Sequence, residues 1–492
     1  MKRFFNNLTS SRNSLLVILL AGVLAALIAL AIGVKQSVWF DEAYSIAVAQ
    51  KSVSDLLGLV ALDTHPPLFY LVLKAWAALG GWGEVWLRLL SALFYGGSVV
   101  FGGLLVRRLF NAKTALCTLP FLLLAPMLVR YGFELRGYAM ASFIGILATY
   151  VMVRAVESKR WQWWVFYAVL VAAGMLTIYY MAFLWLAHLI WLIAGQKHKI
   201  KDILHAPWLW AYVGSVVLFL PWMGVFLSQL NNGSLAPISQ ALTLDNLLGI
   251  ITFNTLYQPV WNLTPGHSLV ALFVIVAIIS VIVLAWRSLQ TKYERRSVQL
   301  LLLYVLVPVI TLTLISLVKP MYVERYLSHI AIGGVLLVGV SSVFVWKRYP
   351  SNWSKLTVLG VLAVMSLGLY QVSSVGNYNF QRLQYPEVKQ ATSNLRPQVY
   401  QVIADDPYVM TEISYYQKSE NMRFFSENSK LGGGYAPLSD SKMRLDPEVP
   451  VTAERVQYVY YNEPSVNLEE QGYVRQARQK FGPLVVDTMI RL

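Results

Sequence analysis

The sequence predicts an α-helical polytopic membrane protein of about eleven transmembrane helices, with a small C-terminal α/β extracytoplasmic domain. Three observations predict it. Hydrophobic residues make up 57% of the 492 and charged residues only 13%, about half the roughly 25% that a soluble protein carries to cover its surface. Eleven stretches approach the roughly 20 apolar residues that a membrane helix needs: 14–34, 84–106, 114–129, 137–153, 162–180, 181–195, 207–229, 267–286, 298–318, 327–346 and 356–375. Finally, Lys and Arg collect in every second connection between them.

The first stretch is too long for a signal-peptide core and opens a consistent series. With Lys2, Arg3 and Arg12 in the cytoplasm, the even-numbered connections should be basic. They carry Arg107, Arg108 and Lys113; Arg154, Lys159 and Arg160; Lys197, Lys199 and Lys201; Arg287, Lys292, Arg295 and Arg296; and Lys347, Arg348 and Lys355. The N-terminus is therefore expected in the cytoplasm of a multi-pass plasma (inner) membrane protein. The split between the fifth and sixth stretches, at Tyr179–Met181, is tight. The formal charge of +15 lies wholly in residues 1–375, with 27 basic and 11 acidic groups, against 13 and 14 from residue 376 on. Topology accounts for that excess, so no nucleic-acid partner is expected. The single cysteine, Cys117, excludes a disulfide scaffold, and the lack of cysteine pairs favours a prokaryotic membrane.

An odd number of spans places residues 376–492 outside. There the composition becomes ordinary, with β-rich runs at Gln398–Ala404, Val456–Tyr460 and Leu484–Val486, helical stretches near Glu387–Leu395 and Leu468–Lys480, and a loop at Gly432–Gly434. The chain divides into a transmembrane domain, 1–375, with a candidate catalytic outer loop at 35–83, and an outer α/β domain, 376–492.

That first outer loop is too long for a simple connection. It reads Val38-Trp39-Phe40-Asp41-Glu42-Ala43-Tyr44-Ser45 and later Asp63-Thr64-His65-Pro66-Pro67-Leu68-Phe69-Tyr70, with an amphipathic helical pattern over Ala43–Leu62 between. Asp41 falls at the bilayer edge beside aromatic residues, where partial desolvation makes a carboxylate a stronger base. The competing reading makes Asp41 the cap of a helix starting at Ala43, with Glu42 in its first turn. Prolines suit a helix start, so Asp63 and His65 have an equally plain reading as interfacial polar groups. Two further outer connections hold Arg130-Tyr131-Gly132-Phe133-Glu134-Leu135-Arg136-Gly137-Tyr138 and Lys319-Pro320-Met321-Tyr322-Val323-Glu324-Arg325-Tyr326. Their arginines lie where topology calls for none. Each could snorkel, pair with an acid such as Glu134, or bind a phosphate through its fork of donors. Mid-span His188 reads as a hydrogen-bonded packing residue.

Asp41-Glu42 after the first span, followed by His65-Pro66-Pro67-Leu68-Phe69-Tyr70, resembles the first outer loop of the GT-C polytopic glycosyltransferases. The likeness is to the bacterial protein-mannosyltransferase-like and aminoarabinose-transferase-like branches. Leu135-Arg136-Gly137-Tyr138 and Glu324-Arg325-Tyr326 resemble the Arg-x-Tyr and later Arg-Tyr elements of that family. The resemblance implies transfer of a sugar from a polyprenyl-phosphate donor, held within membrane lipid, to an acceptor that is a lipid, a glycan or a protein. Asp41 is then the candidate base, with Glu42 beside it. Arg136 and Arg325 become candidates for stabilising the departing phosphate, with His65 helping and Asp63, Tyr138 and Tyr326 lining the substrate. The sequence departs from the aminoarabinose branch, where a Glu-Lys pair precedes the prolines; here Thr64-His65 stands there and the acid is Asp63. No cofactor is expected. Asp41, Glu42, Asp63, His65 and His267 could in principle hold a divalent metal, but no tight ligand spacing demands one.

Two other classes compete. A transporter of a lipid-linked or small anionic substrate would place ionisable residues and broken helices near the bilayer midplane, whereas this chain concentrates them at outer helix ends. A membrane-anchored binding module built on 376–492 would need one span rather than eleven.

Overall fold

The computed structural model describes residues 10–195, 204–231, 243–255, 265–322, 324–349, 351–375, 387–439 and 442–492. In chain order the helices are α1 (Ser11–Gly33), α2 (Phe40–Gln50), α3 (Val53–Ala61), α4 (Leu68–Gly80), α5 (Glu84–Leu109), α6 (Ala112–Leu124), α7 (Pro126–Tyr131), α8 (Tyr138–Ser158), α9 (Trp161–Met175), α10 (Met181–Ala194), α11 (Pro207–Asn231), α12 (Leu244–Thr255), α13 (Pro265–Ser288), α14 (Lys292–Ser316), α15 (Ser328–Arg348) and α16 (Asn352–Val375). Then follow α17 (Val388–Ser393), β1 (Gln401–Ala404), α18 (Pro407–Tyr416), β2 (Met422–Phe425), β3 (Arg444–Leu445), β4 (Arg455–Tyr461), β5 (Tyr473–Phe481) and β6 (Leu484–Arg491). By contacts the chain forms two compact units, Met1–Ile32 with Arg88–Ser373, and Gly33–Leu87 with Ser374–Leu492. The first outer loop thus packs with the C-terminal residues, whereas the sequence boundary at 375/376 groups it with the spans.

In the membrane unit all eleven apolar stretches contain a helix, and eight of the described helices are long and apolar enough to cross a bilayer. The third, fifth and sixth stretches hold shorter helices. The third breaks at Ala125, which is extended (ψ 107°) because the residue before a proline is pushed out of the helical region. Asn111 starts α6 by accepting the Thr114 N–H (2.9 Å), and Thr291 starts α14 by accepting the Glu294 N–H (3.0 Å). Helices α1 and α5 approach at Gly22 and Gly96, where a Cβ on Gly96 would sit 2.6 Å from the Gly22 carbonyl oxygen. Small residues permit such backbone approach, which drives helix association in lipid. His188 is fully buried and lies 2.9 Å from both Thr149 Oγ1 and Tyr167 OH, the packing role expected for it.

In the other unit, a six-stranded sheet runs in the order β3-β2-β1-β4-β6-β5, parallel from β3 to β4 and antiparallel thereafter. Alternation sends Val402 and Ala404 into the core under α17 and α18, while Ile403 faces the opposite core with Phe425, Val456 and Tyr458. The expected helix at Leu468–Lys480 is instead a short 3-10 turn, Glu469–Gln471, followed by β5. Gly472 (φ +88°) ends that turn and Gly482 (φ +57°) reverses the chain into β6. Arg478 then pairs across the hairpin with Asp487. The loop expected at Gly432–Gly434 runs directly into a 3-10 helix, Gly433–Leu438. The amphipathic pattern over Ala43–Leu62 forms two helices rather than one. Ser52 separates them, its hydroxyl accepting the Asp55 N–H at 3.1 Å to start α3. Trp76 of α4 and Trp86 stack (4.4 Å, 5°), and each indole N–H donates to the other's carbonyl (2.8 and 3.0 Å).

Candidate active site

Asp41, Glu42, Asp63 and His65 belong to the unit that includes the sheet; Arg136, Tyr138, Arg325 and Tyr326 belong to the membrane unit. In the first, α2 starts at Phe40, so Asp41 is the second residue of the helix and not its cap. Its side chain is half-buried, and the Ser45 hydroxyl donates to its carbonyl (2.8 Å). The helix-starting contact comes from Glu42, which is buried and accepts the Trp39 N–H at 3.4 Å. That assigns Glu42 a local structural task. Tyr44, one turn on, packs edge-on against Tyr70 of α4 (6.1 Å, 87°).

Asp63 and His65 come together. Asp63 Oδ2 lies 3.5 Å from His65 Nδ1, and the Thr64 hydroxyl is 2.8 Å from the same nitrogen. Pro66 and Pro67 then open α4, as a proline pair before a helix should. Among the described residues, no three His, Cys, Asp or Glu side chains gather as metal ligands. Of the potential donors, the side chain of His267 lies outside the described residues.

In the membrane unit, Arg130 and Glu134 form a buried ion pair (2.5 Å), with the guanidinium 5.1 Å above the Phe133 ring. Arg130 therefore fixes its own loop. The Ser91 hydroxyl donates to the Glu134 carbonyl (2.7 Å), which also accepts the Arg136 N–H (2.8 Å). A Cβ at Gly132 would meet the Tyr95 ring and the Leu128 carbonyl oxygen at 2.9 Å, so this tight loop needs glycine there. Arg136 is buried, and Tyr138 begins α8 with its ring 4.7 Å from Tyr131.

Arg325 is half-buried in the 3-10 turn Glu324–Leu327, its guanidinium 5.9 Å from the Tyr326 ring. Val323 and the Glu324 side chain lie outside what is described. Tyr326 packs on Tyr180 (5.1 Å), whose hydroxyl donates to the Met321 carbonyl (2.8 Å). His329 Nδ1 lies 3.0 Å from the Tyr326 carbonyl and so must be the donor. Helices α8 and α15 pack together, joined where the Ser142 hydroxyl donates to the Ser328 carbonyl (3.2 Å). Ser142 is one turn beyond Tyr138, and Ser328 is two residues beyond Tyr326. The two Arg-Tyr elements therefore stand at the starts of adjacent helices. Arg88, near the start of α5, is fully buried, a polar residue that the motifs above do not include. An arginine inside an otherwise apolar helix was the available signal.

Residues 64–224 match the family model for dolichyl-phosphate-mannose-protein mannosyltransferase, a segment that includes His65, Arg136 and Tyr138. The crystal structure of ArnT from Cupriavidus metallidurans bound to undecaprenyl phosphate is similar over 97% of this chain and 98% of its own, with a TM-score of 0.59 at 12% identity. Its apo structure gives 0.61 at 13% with the same coverage. The chain has an ArnT-like GT-C fold. The ArnT likeness, at that identity, is one of fold, and no curated protein matches in sequence. The likeness to ArnT spans both units, with the small sheet at the C-terminal end.

Proposed function

We propose that the chain transfers a sugar from a polyprenyl-phosphate donor to an acceptor hydroxyl at the outer face of the membrane, with Asp41 as general base. The observation that carries the reading is the pairing of the two Arg-Tyr elements at the starts of α8 and α15. Two guanidiniums at one end of a membrane bundle suit an anionic head group whose tail lies in lipid. ArnT, the structural relative, binds undecaprenyl phosphate, which makes that lipid the first donor carrier to test.

The acceptor oxygen attacks the anomeric carbon as its proton passes to the Asp41 carboxylate. The bond from that carbon to the phosphate oxygen breaks, and the lipid phosphate leaves with the electron pair. A glycosidase needs a second carboxylic acid to protonate its leaving group. A phosphate leaves as a stabilised anion, so Arg136 and Arg325 replace that acid, with Tyr138 and Tyr326 shaping their setting. His65, carried by Asp63 and Thr64, contributes at the substrate, and no metal enters the scheme. The alternation of basic connections supports a cytoplasmic N-terminus and an extracytoplasmic C-terminal unit.

The test is purified protein in lipid, incubated with radiolabelled undecaprenyl-phosphate sugars and crude membrane acceptors. Release of lipid phosphate from one donor is expected, and it names the sugar. Arg325→Ala should weaken donor binding about tenfold or more, the loss of one charge-assisted contact of about 1.5–3 kcal/mol. No release from any donor would contradict the reading and turn attention to transport.

A further inference from the structure

We infer that α18 of the C-terminal unit is a positioning device for Asp41, with Glu412 and Tyr416 as its positioning residues. The inference rests on the reading of Asp41 as base. Helix α18 is started by Asp406, which accepts the Val409 N–H (2.7 Å), and by Pro407 in its first turn. Tyr408, Glu412 and Tyr416 follow at four-residue steps, so they share one face. All three engage Val38 or Phe40, two of the three residues that lead into Asp41. The Val38 N–H donates to Tyr416 OH (2.7 Å). The Phe40 N–H donates to Glu412 Oε1 (3.1 Å), and the Phe40 ring stacks on Tyr408 (4.5 Å, 6°). The second Glu412 oxygen accepts the Tyr461 hydroxyl from β4, tying the grip to the centre of the sheet.

Glu412 is 0% exposed, and burying a carboxyl group is costly unless its oxygens are satisfied. The partners it has found include the amide at the first position of the helix that carries Asp41. The first N–H groups of a helix have no partner within it, so an acceptor there fixes where the helix begins and which way its second residue points. A carboxyl placed 372 residues away meets that need better than the local cap, since Trp39 at the cap position offers no acceptor of its own. Gly434 also lies against the Phe40 ring: a Cβ there would come within 3.0 Å of it.

The test uses the full chain in lipid and the undecaprenyl-phosphate donor on which wild type is active, with melting followed in parallel. Misplacing a reacting group by about 1 Å costs on the order of 100-fold. Glu412→Ala should therefore lower kcat at least tenfold, well below its melting temperature, with the donor KM unmoved. Glu412→Gln should restore kcat to within about threefold, because its amide oxygen can accept the Phe40 N–H while its NH2 faces Tyr461. Tyr416→Phe, which removes only the hydroxyl, should lower kcat severalfold and decides the matter alone if Glu412→Ala does not fold. Wild-type kcat in folded Glu412→Ala or in Tyr416→Phe, with Asp41→Asn inactive, would overturn the positioning role. Activity in Asp41→Asn would instead overturn the base assignment.

Discussion

Arg478 reaches Asp487 with two parallel bonds of 2.8 Å, and the Tyr460 hydroxyl adds a third (2.9 Å). Burial pushes the Asp487 carboxyl upward, but the bonds from Arg478 and Tyr460 and the charges of Arg478 and Arg475 outweigh it and leave the group below its ordinary range. Burial, reinforced by Asp487, pushes Tyr460 up to about 12. A carboxyl depressed on folding stabilises the fold above its ordinary value and loses that contribution as pH falls through its folded value. Asp487→Asn should therefore cost about 1–3 kcal/mol at pH 7. Thermal melts should show the gap from wild type closing as pH drops below about 4, and a gap independent of pH would refute this. The chemistry-bearing residues of the outer loop were legible because they are rare types in an apolar chain. Their local partners were less so. Capping of α2 falls to Glu42 rather than Asp41, while Arg130 takes the pairing with Glu134 that was one of its sequence readings. Glu412 carried no signal, because nothing in local periodicity reports a contact made 372 residues away.

Apolar length identified the helical stretches, and their breaks followed local chemistry that length does not register. Pro126 breaks the third stretch in two through its effect on Ala125, and Ser52 divides the outer-loop helix pattern by capping a second start. A helical stretch is expected near Leu468–Lys480. The glycines at 472 and 482, both left-handed, make the segment a strand of a hairpin. Its mostly exposed face explains why no alternation announced it. The Gly22–Gly96 approach makes a prediction of its own. Gly96→Leu must push α1 and α5 apart, costing about 1–3 kcal/mol as overpacking does. The expected readout is a lowered melting temperature of the purified protein in lipid, with Leu93→Ala, at a 48% exposed position of the same helix, close to wild type. Equal melting of Gly96→Leu and wild type would refute the close contact.

Across the whole chain, apolar composition made the many membrane-length helices legible, while the grouping of the first outer loop with the C-terminal residues was not, since it depends on long-range packing. The proposed orientation is checked with single-cysteine chains in a Cys117→Ser background. A membrane-impermeant maleimide applied to intact cells should label Ser419→Cys and leave Lys113→Cys unlabelled until the membrane is opened. The opposite pattern would invert the proposed orientation. The central claim, that Asp41 takes the acceptor proton in a lipid-linked sugar transfer, is tested most directly by comparing Asp41→Asn with wild type on the same undecaprenyl-phosphate donor. Turnover and donor binding are measured side by side. Lipid-phosphate release should fall by at least about 100-fold, the lower end of the range that general base catalysis supplies, while donor binding stays within about twofold. Release at the wild-type rate from Asp41→Asn would contradict the account.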